Sequence, residues 1–263
     1  MSIDDIQSFA KTTCQFVNEL IKSDVITNDF ISWGGIRQCG ERNRQCEAFA
    51  NVTNWFKFCQ DTSVTKEQLL SITKGIADNR MRSYFITRLI KTRVAFSDET
   101  FLALNGCQKN PNLRDKKWDN LVGGVQFDIK STFVPTNRNN FGEFVELDNI
   151  MKDPLGLIGK YYKSGTSTKD GSERADVGFL NNRLYIINHS KVENRNKFLV
   201  ECGCNGRFKA LEDMAKNITE ENIFDVRDAY NDSDESYYNV KSAVLVIVEE
   251  EPGVVNHYLL KKT

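Results

Sequence analysis

The amino-acid sequence predicts an α/β protein with a mixed β-sheet flanked by helices and with a helical N-terminal part. Apolar residues recur with helical spacing through roughly the first hundred positions, and from about Leu113 the apolar period changes to two. An order of helices, then strands, then a helix and a further strand fits a mixed sheet covered by helices. We expect a helical N-terminal region over residues 1–105 and a sheet-containing core over residues 106–263.

The N-terminal region shows amphipathic helical patterns. Apolar residues at helical spacing open the chain, and Thr65 is placed to cap a helix that begins "KEQLLSITK". The following segment, "NRMRSYFITRLIKTRV" (79–94), reads as a basic amphipathic helix. Such a succession is either a helix-turn-helix or part of a helical bundle, and the bundle is the commoner arrangement.

The second half of the chain carries the strand patterns. "KWDNLVGGVQFDIKSTFVP" (117–135) predicts a β-hairpin around a Gly-Gly turn, and "RLYIIN" (183–188) predicts a further strand. A helix is expected to begin after Gly206, and "SAVLVIVEEE" (242–251) is typical of a strand that is buried on both faces.

Composition and charge argue against several classes of protein. No segment approaches the roughly 20 apolar residues that span a bilayer, and the N-terminus opens with acids, so we expect a cytoplasmic protein that does not enter a membrane. The net charge of −1 excludes a protein that coats nucleic acid by bulk charge, although it permits a local basic groove. The seven cysteines are expected to be mostly free thiols, because two histidines and a C-x-C spacing do not favour zinc.

The predicted hairpin carries charged residues in the middle of its second strand, at positions where apolar core residues would be expected. Period-two geometry puts Asp128 and Lys130 on one face of the second strand, and Asp119 lies across from them if the chain reverses at the Gly-Gly turn. Two neighbouring carboxylates repel each other unless a cation lies between them, and Mg²⁺ prefers such oxygen ligands. The carbonyl of Ile129 supplies a further oxygen. Lys130 beside a metal could position or deprotonate a water that attacks a phosphodiester.

These residues resemble the signature of the PD-(D/E)xK nucleases, the restriction-endonuclease-like superfamily. In that family the first acid precedes or ends one strand, and the (D/E)-x-K triplet lies on the next strand of the hairpin. Carried over onto "D119-x8-D128-I-K130", the resemblance makes Asp119 and Asp128 metal ligands and Lys130 the catalytic lysine. Trp118 stands where the family often has proline, and Asp115 replaces Asp119 if the register differs.

The resemblance implies a restriction-endonuclease-like fold and an Mg²⁺-dependent endonuclease, with Mn²⁺ as a substitute, that cuts double-stranded DNA like a type II restriction enzyme. A homodimer would supply the two sites that cutting both strands needs. Many members add a glutamate from the helix before the hairpin. Glu47 is our candidate for this catalytic and metal-binding acid, with Glu41 and Glu99 as alternatives.

Other interpretations remain open at this point. A D-x-K triplet also occurs by chance as an ion pair on an exposed sheet face. The alternative functions are a non-catalytic DNA-binding protein and a repair or RNA nuclease with the same chemistry. The basic helix over residues 80–93 and the Gly206–Lys209 segment are candidate contacts to DNA phosphates, and His189 is a weaker candidate base.

Overall fold

The structure, a computed structural model, describes residues 1–23, 25, 55–76, 79–112, 117–135, 141–166, 181–192, 205–229 and 239–262. Within these ranges the α-helices are α1 (Ile3–Lys22), α2 (Trp55–Gln60), α3 (Lys66–Lys74), α4 (Asn79–Leu104), α5 (Leu147–Lys152), α6 (Pro154–Thr166) and α7 (Asn205–Asn217). The strands are β1 (Gln108–Lys109), β2 (Asn120–Val122), β3 (Val125–Phe133), β4 (Arg183–Ser190), β5 (Phe224–Asp225), β6 (Lys241–Glu251) and β7 (Val254–Leu259).

The described strands form one mixed, open sheet of seven strands in the order β1-β2-β3-β4-β6-β5, with β7 also paired to β6. The β1–β2 and β2–β3 pairs are antiparallel, the β3–β4 and β4–β6 pairs are parallel, and β5 and β7 are each antiparallel to β6. The predicted mixed α/β architecture is therefore confirmed. The short strands β1, β5 and β7 were not predicted, because two to six residues at a sheet edge leave little periodic signal.

Alternate residues of β4 and β6 enter two different cores, so both strands are buried on both faces. Leu184 and Leu245 join a cluster with residues of α1, α4 and α7, while Ile187 and Val246 join a cluster with residues of α5 and α6. The prediction of a strand buried on both faces over residues 242–251 is confirmed. Parallel strands between two helical layers read as continuous apolar runs for this reason.

The N-terminal helices form a bundle that continues into the sheet. Phe16 of α1, Leu69 of α3 and Ile86 of α4 are buried in one cluster, whereas Ile6 of α1 and Phe101 of α4 pack against the sheet. Of the two interpretations of this region, the helical bundle matches the packing. The predicted N-cap of α3 is also confirmed, since Thr65 accepts a hydrogen bond from the backbone N–H of Gln68.

The basic residues of α4 have different roles. Arg93 is completely buried; its Nε donates to Thr13 Oγ1 at 2.8 Å, and its guanidinium lies 3.8 Å from the centroid of the Phe9 ring. Arg93 therefore joins α4 to α1 and cannot contact DNA in this arrangement. Arg88 is exposed. Within the described ranges, none of the helices has both the length and the apolar character needed to cross a bilayer.

Candidate metal-binding site on the β2–β3 hairpin

The hairpin forms as predicted, with a two-residue connection between Val122 and Val125, which are paired in the sheet. Gly123 and Gly124 have φ angles of 56° and 78°. Tight hairpin turns whose two central residues have positive φ match the twist of the strands, and glycine adopts this conformation without a side-chain clash. The Gly-Gly dipeptide therefore fixes the register that brings the two strands together.

The two faces of β3 have opposite character. Phe127 is buried in the core beneath α4 and α7, and Ile129 packs against the same core. Asp128 and Lys130 lie on the other face, as predicted, and Lys130 Nζ donates to Asp128 Oδ1 at 2.6 Å. The side chain of Lys130 is 49% exposed, whereas that of Asp128 is 12% exposed. The apolar face anchors the strand, and the charged face presents an acid and a lysine at the protein surface.

Asp119 lies immediately before β2 and reaches across to β3. Its backbone N–H donates to the carbonyl of Phe127, and its carboxylate accepts a 2.7 Å hydrogen bond from the backbone N–H of Ile129. In an extended strand the N–H and C=O of one residue point to the same side. The carbonyl of Ile129 consequently points to the side on which Asp119 lies, as the prediction of a carbonyl ligand requires.

Glu99, near the end of α4, is the upstream acid that lies beside this pair. Asn120, at the start of β2, donates through its side-chain amide to the Glu99 carbonyl at 3.0 Å, which ties α4 to the hairpin. The Glu99 carboxylate forms an ion pair with Lys109 of β1 at 3.1 Å. Our first candidate for this position, Glu47, lies outside the described residues, as does Glu41. Among the three glutamates considered, Glu99 is the one for which the structure gives a location beside the hairpin.

The acids interact through their charges. Burial raises the pKa of Asp119 to about 6; the hydrogen bond from Ile129 opposes this rise, and the negative charges of Glu99 and Asp128 add to it. Burial likewise raises the pKa of Glu99, with Lys109 opposing the rise and the charges of Asp98 and Asp128 contributing to it. Negative charge from three separate elements is thus concentrated in one partly buried region.

The oxygen atoms of these residues suit a hard divalent cation, but two of the three acids form ion pairs with lysines. Among the described residues, no three His, Cys, Asp or Glu side chains converge closely enough to hold a metal ion as they are placed. Asp128 is paired with Lys130, and Glu99 is paired with Lys109. Carboxylate and carbonyl oxygens are the ligands that Mg²⁺ prefers, and mutual repulsion of the acids favours a cation between them. A metal bound by Asp128 would either share this carboxylate with Lys130 or displace Lys130 from Oδ1.

Several sequence candidates lie elsewhere or outside the described ranges. His189 is six residues along β4 from Arg183, the partner of Asp128, and four from Tyr185, the partner of Lys130, so at the rise of a strand it lies about 20 Å from the level of Asp128 and about 13 Å from that of Lys130. It is therefore not a base for this site. Asp115, the alternative to Asp119, falls outside the described residues.

Arg207 is a structural residue and not the phosphate contact that its position at the start of α7 suggested. It is buried, and its Nε donates to Asp98 Oδ1 at 3.0 Å while its terminal nitrogens reach Asp98, Asn188 and Ser131. Asp98 precedes Glu99, and Ser131 follows Lys130. The buried network therefore joins α4, α7, β3 and β4 through residues that adjoin Glu99 and Lys130 in the chain.

Two residues of β4 that sequence reasoning did not assign lie next to the acids. In the parallel pairing of β3 with β4, Arg183 is the partner of Asp128 and Tyr185 is the partner of Lys130, so these side chains share a face. Both β4 residues are at least half-buried. No signal in the sequence could have given this register, because it depends on pairing between strands that are separated by a long crossover.

The site is therefore a group of three acids and a lysine on one hairpin and its neighbouring helix, with an arginine and a tyrosine from the adjacent parallel strand. Comparisons of the chain with protein-family models, with curated proteins and with solved structures gave no match.

Proposed function

We propose that the protein is a divalent-metal-dependent nuclease of the PD-(D/E)xK type with a restriction-endonuclease-like fold, which hydrolyses phosphodiester bonds in double-stranded DNA. The proposal is supported mainly by one arrangement. Asp119, Asp128 and Glu99 come from separate elements and lie close enough for their charges to interact, and Lys130 lies beside Asp128 on the same face. A chance D-x-K ion pair on a strand does not require two further partly buried acids beside it.

The residues have distinct parts in the proposed reaction. Asp119, Asp128, Glu99 and the Ile129 carbonyl would hold Mg²⁺, which supplies Lewis acidity and lowers the pKa of a bound water. Lys130, half-exposed on a strand whose other face is anchored in the core, would orient the attacking water and accept its proton or offset charge on the phosphorus oxygens. The N–H of Ile129 holds the Asp119 carboxylate in place before substrate arrives.

The experiment is cleavage of a supercoiled plasmid with Mg²⁺, comparing wild type with Asp128→Asn, Lys130→Met and Glu99→Gln. Each substitution should reduce the rate on the order of a hundredfold or more, because a positioned acid–base group or ligand contributes at least that much. Asp228→Asn is the matched control, since Asp228 is exposed and lies on the short 3-10 helix after β5. Binding of DNA without cleavage by wild type would refute the proposal.

The upstream acid is tested separately by Glu47→Gln. If Glu99 is the ligand, Glu99→Gln removes activity and Glu47→Gln retains it. The opposite pattern would return the role to Glu47, while loss in both variants would place both acids in the reaction. Duplex DNA, single-stranded DNA and RNA compared as substrates decide the substrate class, and sedimentation with and without duplex DNA tests the proposed homodimer.

A non-catalytic DNA-binding protein is the second candidate, and one observation favours it. Lys130 and Lys109 neutralise Asp128 and Glu99 directly, as they would in a purely structural set of ion pairs. The two candidates differ in the effect of Mg²⁺. Isothermal titration of the DNA-free protein should show binding of Mg²⁺ or Mn²⁺ that Asp128→Asn weakens if the acids form a metal site, and no such binding if the ion pairs are structural.

A further inference from the structure

We infer that Arg183 is the residue of this site that binds a phosphate group of the DNA strand to be cut. The inference rests on the proposed function, because it names the substrate contact of the same site. It depends on where the Arg183 guanidinium is held, what surrounds it and which charged groups it faces.

The position of Arg183 follows from the sheet register. Arg183 opens β4 and is paired with Asp128 across the parallel β3–β4 ladder, so the two side chains project from the same face of the sheet. Lys130 is the next residue on that face of β3, and it is paired with Tyr185. A phosphate that approaches Lys130 from solvent therefore approaches Arg183 as well.

Aromatic residues hold the guanidinium in place. Its Nη1 donates to the Tyr185 hydroxyl at 3.3 Å, and its central carbon lies 4.8 Å from the centroid of the Tyr162 ring. Tyr162 donates its own hydroxyl hydrogen to the Asn181 carbonyl at 2.7 Å, and Tyr161 stacks on the Tyr185 ring with centroids 4.6 Å apart. The arginine is thus fixed by neutral groups on a packed aromatic layer, which lowers the entropy lost when it binds a ligand.

The charge of Arg183 is not neutralised by an ion pair with any of the described residues, and its Nε is buried without a hydrogen-bond partner among them. The nearest acid on the same face, Asp128, directs its Oδ1 to Lys130 instead. Partly burying a guanidinium with unsatisfied donors is unfavourable unless a partner compensates for the lost hydration. The planar donors of arginine match the paired oxygens of phosphate and of carboxylate, and phosphate is the one of the two that a nuclease substrate carries.

Binding of uncut DNA tests the inference without any need for turnover. In an Asp128→Asn background we compare Arg183, Arg183→Met and Arg183→Lys, using fluorescence anisotropy of a labelled duplex at several salt concentrations. Loss of one charged phosphate contact should weaken binding on the order of tenfold to a hundredfold, since each such contact is strong. The slope of log Kd against log salt should fall in magnitude by about one for Arg183→Met, and Arg183→Lys should retain the slope.

A second readout separates a substrate contact from a structural role. Arg183 interacts with Asp128 through their charges, so removing its positive charge should leave Mn²⁺ affinity unchanged or raise it while DNA binding weakens. Arg227→Met is the matched control, because Arg227 is an exposed arginine on the 3-10 helix after β5. It should change neither quantity by more than about twofold, as expected of an exposed surface position.

The outcomes distinguish this inference from the proposed function. If wild type cleaves DNA but Arg183→Met and Arg183→Lys leave Kd and the salt slope unchanged, the inference is wrong and the nuclease proposal stands. If wild type binds DNA through Arg183 without cleaving it, the nuclease proposal fails and the phosphate contact stands. If Arg183→Met melts well below wild type, Arg183→Gln is measured in its place, since a smaller salt slope in that folded neutral variant supports a charge contact and an unchanged slope overturns it.

Discussion

Replacing Asp119 with asparagine should stabilise the protein in the absence of metal. Asparagine has nearly the same shape and keeps an oxygen that can accept the hydrogen bond from the Ile129 N–H. It removes the negative charge that lies near Glu99 and Asp128. A carboxylate that is partly buried and repelled by neighbouring acids in this way stabilises the fold less than its neutral analogue does.

The magnitude follows from the pKa of Asp119. The value rises from 3.8 to about 6 on folding, and one pKa unit corresponds to about 1.4 kcal/mol, so holding the charged form costs about 3 kcal/mol. Asp119 is only half-buried, and screening by solvent lowers this cost to roughly 1–2 kcal/mol. Since the folded state binds the proton more tightly, the free energy of unfolding falls as the pH rises from about 4 to about 6.

Urea unfolding in EDTA measures this free energy at pH 7.5 and at pH 4. Asp119→Asn should be more stable than wild type at pH 7.5, and the two should converge at pH 4, where wild-type Asp119 is largely protonated. The melting temperature should rise by roughly 2–4 °C for each kcal/mol in a chain of this length. Asp228→Asn, at an exposed position, controls for the loss of one charge. A less stable Asp119→Asn variant at pH 7.5 would refute the reasoning.

Three further predictions concern the same region. The affinity of wild type for Mn²⁺, measured by titration calorimetry, should fall about tenfold for each pH unit below the pKa of about 6 of Asp119, because the metal must displace the proton; an affinity that is flat down to pH 4.5 would contradict this. Asp98→Asn and Arg207→Met should each lower the free energy of unfolding in urea by about 3–5 kcal/mol, since each leaves a buried partner unpaired, and the double substitution should cost less than the sum. Gly123→Ala should destabilise the hairpin by more than Gly124→Ala in thermal melts, because both positions have positive φ but a Cβ at Gly123 also comes within 3.0 Å of a side chain; equal effects would show that the contact relaxes.

The features that the sequence predicts correctly depend on interactions between residues that are close together in the chain. The Gly-Gly turn, the alternation of Phe127 and Ile129 with Asp128 and Lys130, and the cap at Thr65 each depend on residues within a few positions of one another. Such patterns are decided by turn geometry, by the period of the strand and by single hydrogen bonds. The hairpin and its charged face could therefore be predicted correctly from a short stretch of sequence.

The choice of the upstream acid shows why other parts could not be predicted. Glu47 and Glu99 both lie in segments with helical patterns, and helical spacing does not say which helix packs beside a hairpin. The location of Glu99 depends on Asn120 bonding to the backbone of α4 and on Lys109 of β1, a strand of two residues. Tertiary contacts of this kind have no periodic signature.

Arginine residues were the least predictable. Arg93 and Arg207 occur in basic segments that resemble nucleic-acid contacts, yet one is enclosed between α1 and α4 and the other forms a buried ion pair with Asp98. Arg183 stands alone before an apolar run, and its place beside Asp128 comes from parallel pairing across the crossover between β3 and β4. The pattern of charges along the sequence shows where basic segments lie, but it does not show which residues or ligands each arginine contacts.

The parallel pairing of β3, β4 and β6 has a consequence for how the protein is made. A nascent chain that has emerged only through β3 already contains Asp119, Asp128 and Lys130, but a two-stranded hairpin alone is at best marginally stable in water. Arg183 arrives with β4, which is paired along its whole length with β6. Such long-range pairings form late, so the groups of the site come together only when the central sheet closes. The proposed site can therefore be complete only after β4 and β6 have been synthesised.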